Sequence, residues 1–118
     1  MADLFTDFEH TGALTEVEAS TQRDAIVEAV RRVGEVLQVD TVASRLATGD
    51  ARGLRRDLNA VNLEVGRVFT GAGVTRFTAD EEQVLGSIMV TTYCRGDDIT
   101  FASYALQTAA RIEVFLAR

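Results

Sequence analysis

Apolar side chains recur at steps of three and four residues along most of this chain, a spacing that lines up one face of an α-helix. Such stripes lie in residues 21–38, 50–70 and 98–117. They consist of Ile26, Val30, Val33 and Leu37, then Leu54, Leu58, Val61, Val65 and Val68, and finally Ala105, Ala109, Ile112 and Leu116. The chain contains no proline, the commonest helix breaker. The pattern therefore predicts an all-α protein.

Helix boundaries are predicted from glycines and from side chains that can cap a helix. Thr78, followed three residues later by Glu81, matches a capping box and predicts a helix over residues 79–93. The other predicted N-caps are acidic: Asp40 for a short helix 41–47, Asp50 for the second striped helix and Asp98 for the third. We therefore expect a single domain, a small bundle of four main helices plus one short helix.

Residues 87–94 carry signals for both helix and strand. Their β-branched side chains would suit a strand by propensity. The capping box upstream and the spacing of Leu85, Ile88 and Thr92 favour a helix instead.

Length and composition indicate one compact core. The 118 residues are 47% hydrophobic, and no disulfide can form within the chain because Cys94 is the single cysteine. A reducing compartment suits such a chain, so we expect it in the cytoplasm. The charge-free stretch 84–94 is about half as long as a membrane span requires, so no membrane partner is expected.

The net charge of −6 is concentrated at the start of the chain. The first 21 residues contain five acidic side chains and no lysine or arginine, whereas the remainder is nearly neutral. Within the acidic N-terminal arm, residues 1–14, the apolar side chains Leu4, Phe5 and Phe8 alternate with acids. They can form one helical turn that docks in a groove of its own chain or of a partner.

The residues that usually identify an enzyme are missing from this sequence. The single histidine, His10, lies in the polar arm, where a general base cannot easily be held at a fixed geometry. Cys94 is predicted near a helix C-terminus, which disfavours the thiolate. One histidine and one cysteine do not make a zinc site. We therefore expect no enzyme, no metal and no cofactor.

Residues 41–62 have the rough outline of a helix-turn-helix, with Arg52, Arg55 and Arg56 opening the second helix. These arginines are candidates for contact with an anion or a nucleic acid. Two features oppose the interpretation: Gly53 interrupts the first turn of the second helix, and the body of the chain is slightly acidic. A small DNA-binding regulator is therefore kept as an alternative function.

The two C-terminal helices have unusually little polar surface. Residues 84–94 carry no charge, and residues 99–117 carry only Arg111 and Glu113. Helices that are apolar nearly all round are buried or contact another molecule, and a domain this small can enclose at most one of them. A homodimer is the simplest explanation. The candidate interface residues are Met89, Tyr93, Phe101, Tyr104 and Phe115.

The sequence therefore favours a non-enzymatic helical protein–protein interaction module that self-associates, as an assembly, adaptor or regulatory component. A bundle that binds a small apolar ligand among its C-terminal helices is a further alternative. Gly34, Gly66 and Gly86 fall inside predicted helices, where glycine costs about 1 kcal/mol relative to alanine. A close approach of helices or a bend would explain each of them.

Overall fold

The computed structural model describes residues 16–118, which form a bundle of five α-helices and contain no strand. The helices are α1 (Glu16–Val36), α2 (Val39–Ala47), α3 (Ala51–Ala72), α4 (Ala79–Thr92) and α5 (Asp98–Leu116). Four are long and α2 is short, so the predicted all-α bundle is confirmed. Segment 87–94 belongs to the C-terminal part of α4 and the turn after it, so its helical interpretation holds and its strand propensity is overridden.

The predicted caps are correct at two helices and wrong at two. Asp50 caps α3 by accepting a hydrogen bond from the Gly53 amide, and the Thr78–Glu81 capping box opens α4 with both of its hydrogen bonds. At α5 the cap is Asp97 rather than Asp98, since the Asp97 carboxylate accepts from the Thr100 amide at 2.8 Å. At α2 the helix begins at Val39, so Asp40 lies within its first turn.

The core is built around α1, whose apolar stripe is fully buried. α3 packs mainly against α1 and α4 mainly against α5, while α2 contacts α5 and α3. Gly34 is explained by this packing: a Cβ there would lie 3.0 Å from Ile112 Cγ2, so the glycine permits the close approach of α1 and α5. The buried side chains at the centre of the core include Ile26, Val30, Leu54, Leu58, Phe101 and Ile112.

A pair of buried hydroxyl groups joins α4 to α5. Thr91 and Thr108 lie within 2.8 Å of each other through their Oγ1 atoms, and each hydroxyl is also within hydrogen-bonding distance of the Ser87 carbonyl. Buried polar groups are tolerated when they are hydrogen-bonded. Both threonines face the interior rather than water. Part of the uncharged surface of the C-terminal helices is therefore buried between α4 and α5.

No helix within residues 16–118 is long and apolar enough to cross a membrane. The same residues contain no cluster of histidine, cysteine or acidic side chains that could hold a metal ion. The docking arm with Leu4, Phe5 and Phe8, together with His10, lies outside the described residues.

Candidate binding groove

An apolar groove lies between α3 and α4. Because α3 packs mainly on α1 and α4 mainly on α5, these two helices share little direct contact and leave a space of about 630 Å³. Ala29 and Val33 of α1 form its floor. Its walls comprise Asn62, Leu63, Val65, Gly66 and Phe69 from α3 with Glu82, Leu85, Gly86, Ile88, Met89 and Thr92 from α4, and Asn59, Phe77 and Tyr93 complete its lining.

Two specific contacts connect the walls of the α3–α4 groove. The Phe69 and Phe77 rings lie 6.1 Å apart, centroid to centroid, at the end where the two helices are connected. Further along the groove, Asn62 Nδ2 donates a hydrogen bond of 2.7 Å to Thr92 Oγ1, and the lining continues past this contact to Asn59 and Tyr93. Seven residues of α3 separate Asn62 from Phe69, which corresponds to a length of about 10 Å. The stretch of groove between these two contacts is therefore about two helical turns long.

Gly66 and Gly86 face each other across this groove from the interiors of α3 and α4. A Cβ added at either position would meet no atom within 4 Å, so neither glycine is needed for a close approach within the bundle. Each nevertheless costs about 1 kcal/mol of helix stability relative to alanine. Their effect is to widen the groove, and we call the space above them the glycine hollow.

Large apolar side chains stand at the rim beside the glycine hollow. Leu63, Met89 and Tyr93 are 69%, 50% and 66% exposed. Leu63 precedes Gly66 by three residues and Met89 follows Gly86 by three, so each helix places a protruding side chain about one turn from a glycine. The groove therefore has protruding side chains, Leu63 and Met89, which we call the ridges, beside the glycine hollow on one face of the molecule.

The lining of the groove offers few polar groups. Glu82 is its one charged side chain, and Asn59, Asn62, Thr92 and the Tyr93 phenol supply the remaining hydrogen-bonding groups. The lining contains neither histidine nor cysteine. Such a surface can bury apolar groups of another molecule and fix their orientation with a few hydrogen bonds.

The structure separates the five predicted interface residues. Met89 and Tyr93 line the α3–α4 groove. Tyr104 lies in a different cleft, between α4 and α5, and half-buried Phe115 lies in a third beside the C-terminus. Phe101 was wrongly predicted as an interface residue, because it is 1% exposed and belongs to the core.

Arg55 was also wrongly predicted as an anion-binding residue. Its guanidinium donates hydrogen bonds to the carbonyl oxygens of Cys94 at 2.7 Å and Gly96 at 3.1 Å, and it covers the Phe101 ring. A guanidinium that already satisfies backbone carbonyls and an aromatic face has little capacity left for a phosphate. Of the three predicted arginines, Arg52 and Arg56 remain exposed, and Arg56 lies 3.8 Å from Asp57.

The turn between α2 and α3 is held by an ion-pair network that also explains Gly53. Arg45 donates to Asp50 at 2.8 Å and to Asp57 at 2.7 Å. The hydrogen bonds from Arg45 lower the pKa of the Asp50 carboxyl, while Asp57 and Asp50 raise the pKa of Arg45. A Cβ on Gly53 would lie 2.6 Å from Arg45 Nη2, so the glycine makes room for the pair. The turn between α2 and α3 is thus held by contacts among its own side chains.

Several groove residues were not identified from the sequence. Leu63, Phe69, Phe77 and Leu85 were not among the predicted site residues, and Leu63 lies off the apolar stripe of α3. The available signal was the pair of glycines inside predicted helices, Gly66 and Gly86, which the sequence attributed to a close approach of helices or a bend. Comparisons with protein-family models, with curated proteins and with solved structures give no match for this chain.

Proposed function

We propose that this protein is a non-enzymatic helical interaction module that self-associates through the α3–α4 groove. The observation that supports this proposal is the groove itself, an apolar cavity of about 630 Å³ with large exposed side chains along its rim. Contiguous apolar surface of this kind marks interaction sites in soluble proteins, because water contact with it is unfavourable. Its lining offers binding groups rather than catalytic ones.

The arrangement of ridges and hollow favours a second copy as the occupant. A twofold interface brings the same surface of both subunits together, so a self-complementary face needs protrusions and recesses side by side. Leu63 and Met89 protrude about one turn from Gly66 and Gly86. In the proposed dimer, Leu63 and Met89 of one protomer fill the glycine hollow of its partner. The low density of charge in the groove suits a dry interface core.

Sedimentation equilibrium of the full chain, with two leucine substitutions, tests this proposal. Gly66→Leu fills the hollow and should shift the protein to monomer. Gly71→Leu is the matched control: it is also an exposed glycine within α3 with nothing near its Cβ, but it does not line the groove. The control should retain the monomer–dimer equilibrium of the wild type. A wild type that stays monomeric at high micromolar concentration would contradict the proposal, as would a dimer equally stable in both variants.

A second pair of substitutions tests the ridges. Leu63→Ala removes a rim side chain and should weaken dimerisation by at least about tenfold, as expected for an interface residue whose truncation costs more than about 1.4 kcal/mol. Ile99→Ala removes an exposed side chain of α5 that is not part of the groove and should leave association unchanged. Equal effects of both changes would argue against the assigned interface.

The volume of the groove supports a second candidate function, the binding of a small apolar ligand. Ligand pockets typically measure about 300–1,000 Å³ and are mostly apolar with a few polar groups, and this groove meets both conditions. Native mass spectrometry of the purified full chain distinguishes the two. Protomers carrying a copurified apolar molecule, displaced by Gly66→Leu but not by Gly71→Leu, would favour the ligand. Unliganded dimers favour self-association.

A further inference from the structure

We infer that the twofold axis of the dimer crosses the α3–α4 groove, and that the Tyr93 phenol of each protomer donates a hydrogen bond to the partner's Glu82 carboxylate. The inference rests on the proposed function and deepens it, because it names the residue pair by which one copy recognises another. It also assigns a role to the one charged side chain in the lining of the groove.

Both ridges are displaced from the glycine hollow in the same direction along the groove. α3 and α4 run antiparallel, because they are joined by the short loop 73–78 and lie side by side. Leu63 lies three residues before Gly66, and Met89 lies three residues after Gly86, so each ridge is about 4.5 Å along its helix from the glycine. Both displacements therefore lead away from the connecting loop.

This common displacement distinguishes the two ways in which a twofold axis can bring the groove against itself. An axis along the groove puts equal levels of the two copies together, so ridges would meet ridges. An axis across the groove reverses the levels, so Leu63 faces the partner's Gly66 and Met89 faces the partner's Gly86. Only the second arrangement fills the glycine hollow, and close packing favours it.

One axis across the groove can serve both helices. The hydrogen bond between Asn62 and Thr92 marks a common level on α3 and α4. Towards the connecting loop, the midpoint between ridge and glycine lies about 4 Å from that level along α3 and about 7 Å from it along α4. The two midpoints therefore differ in level by only about 3 Å.

The same axis brings Glu82 against Tyr93 of the partner. Glu82 lies four residues before Gly86, and Tyr93 lies four residues after Met89. Rotating α4 about the midpoint of Gly86 and Met89 therefore exchanges the positions of Glu82 and Tyr93. The four residues follow steps of four, three and four, so they share one face of the helix. The twofold symmetry produces the contact twice.

The two side chains are chemically complementary. Both line the groove and both are exposed in the single protomer. Within residues 16–118, neither the Glu82 carboxylate nor the Tyr93 phenol makes a hydrogen bond or an ion pair. A carboxylate covered by apolar surface without a hydrogen bond is strongly unfavourable. The partner's phenol supplies the donor that the Glu82 carboxylate needs when the groove is covered.

Removal of one hydroxyl group tests the contact. Tyr93→Phe in the full chain keeps the ring but removes the donor, so sedimentation equilibrium should show dimerisation weakened by about tenfold or more. Tyr104→Phe is the matched control and should leave dimerisation unchanged, because Tyr104 is a 38% exposed tyrosine of α5 that does not line the groove. In a Glu82→Ala background, Tyr93→Phe should change the dissociation constant by less than about twofold.

The outcomes of this cycle separate the inference from the proposed function. A dimer whose dissociation constant is unchanged by Tyr93→Phe, or is changed equally in both backgrounds, would refute the contact between Tyr93 and Glu82 and leave self-association standing. A wild type that stays monomeric at high micromolar concentration would refute both.

Disulfide trapping tests the direction of the axis. Glu82→Cys with Tyr93→Cys, in the full chain with Cys94→Ala, should form a covalent dimer on mild oxidation. The two positions are about 16 Å apart along one helix, so a disulfide within a protomer cannot form. Either substitution alone should give no covalent dimer, because the axis keeps equivalent positions equally far apart. An equal yield from a single substitution, or no covalent dimer from a double variant that dimerises when reduced, would overturn the inference.

Discussion

The guanidinium carbon of Arg55 lies 4.1 Å from the centroid of the Phe101 ring. The arginine comes from the first turns of α3 and the phenylalanine from the start of α5, so the contact connects two helices that are distant in sequence. Its hydrogen bonds to the Cys94 and Gly96 carbonyls also fix the loop between α4 and α5. Two residues that the sequence assigned to separate binding surfaces therefore form one structural contact.

Replacing Arg55 should destabilise the fold substantially. Arg55→Ala uncovers the Phe101 ring and removes the hydrogen-bond donors to two backbone carbonyls, a loss of about 2–3 kcal/mol by the usual cost of such contacts. Arg52→Ala, at an exposed position of the same helix, should change stability by less than about 0.5 kcal/mol. Urea unfolding followed by circular dichroism measures both changes. Similar values for the two variants would contradict the structural role of Arg55.

Two glycine-to-alanine substitutions in α3 should change stability in opposite directions. Gly66→Ala should stabilise the protein by about 0.5–1 kcal/mol, because the helix gains propensity and the Cβ meets nothing. Gly53→Ala should be destabilising, because the Asp50 and Arg45 side chains would have to move away from the added Cβ, which disturbs both their ion pair and the N-cap hydrogen bond to the amide of residue 53. Thermal unfolding at a concentration that keeps the protein monomeric measures both. Stabilisation by both substitutions would show that Gly53 is not required for the ion pair.

The Arg45–Asp50 pair predicts a specific dependence of stability on pH. Hydrogen bonds from Arg45 are the main cause of the lowered pKa of Asp50. A carboxyl whose pKa is lower in the folded state contributes stability above its unfolded pKa of about 3.9 and loses it as the pH falls through the folded value. The stability difference between wild type and Asp50→Asn should therefore be constant near neutral pH and shrink in acid. A difference that stays constant down to about pH 2 would contradict this linkage.

The buried threonine pair should show energetic coupling. Thr91→Val and Thr108→Val each remove one hydroxyl group, and the hydroxyl that remains can still donate to the Ser87 carbonyl. Each substitution should therefore lower the free energy of unfolding by about 1 kcal/mol. The double variant should cost less than the sum, by about 0.5–1 kcal/mol, because the hydrogen bond between the hydroxyls is lost only once. Denaturant unfolding of the four proteins measures the coupling. Strict additivity would show that the 2.8 Å contact contributes nothing to stability.

The fold was predictable because its determinants are local in sequence. The stripe through Ile26, Val30 and Val33 depends only on helical periodicity, and the Thr78–Glu81 capping box involves residues three apart. The cap of α5 was misplaced by one residue because Asp97 and Asp98 are adjacent and chemically identical. Sequence spacing could not choose between them.

The groove was less predictable because it depends on which helices pack together. Leu63 and Leu85 become neighbours of one cavity only because α3 packs on α1 while α4 packs on α5, and no spacing within a single helix encodes that pairing. The burial of Phe101 has the same origin, since Arg55 reaches it from another helix. Composition indicated that the C-terminal helices have surplus apolar surface, and the tertiary packing determined which of their side chains stay exposed.

The central claim is that a second copy covers the α3–α4 groove. Isotope-filtered NMR on a sample that mixes labelled and unlabelled full chain detects contacts between copies directly. We expect intermolecular nuclear Overhauser effects from the Leu63 and Met89 methyl groups of one protomer to the Gly66 and Gly86 α-protons of its partner. A dimer whose intermolecular effects arise only from α5, or a sample without any at high micromolar concentration, would contradict it.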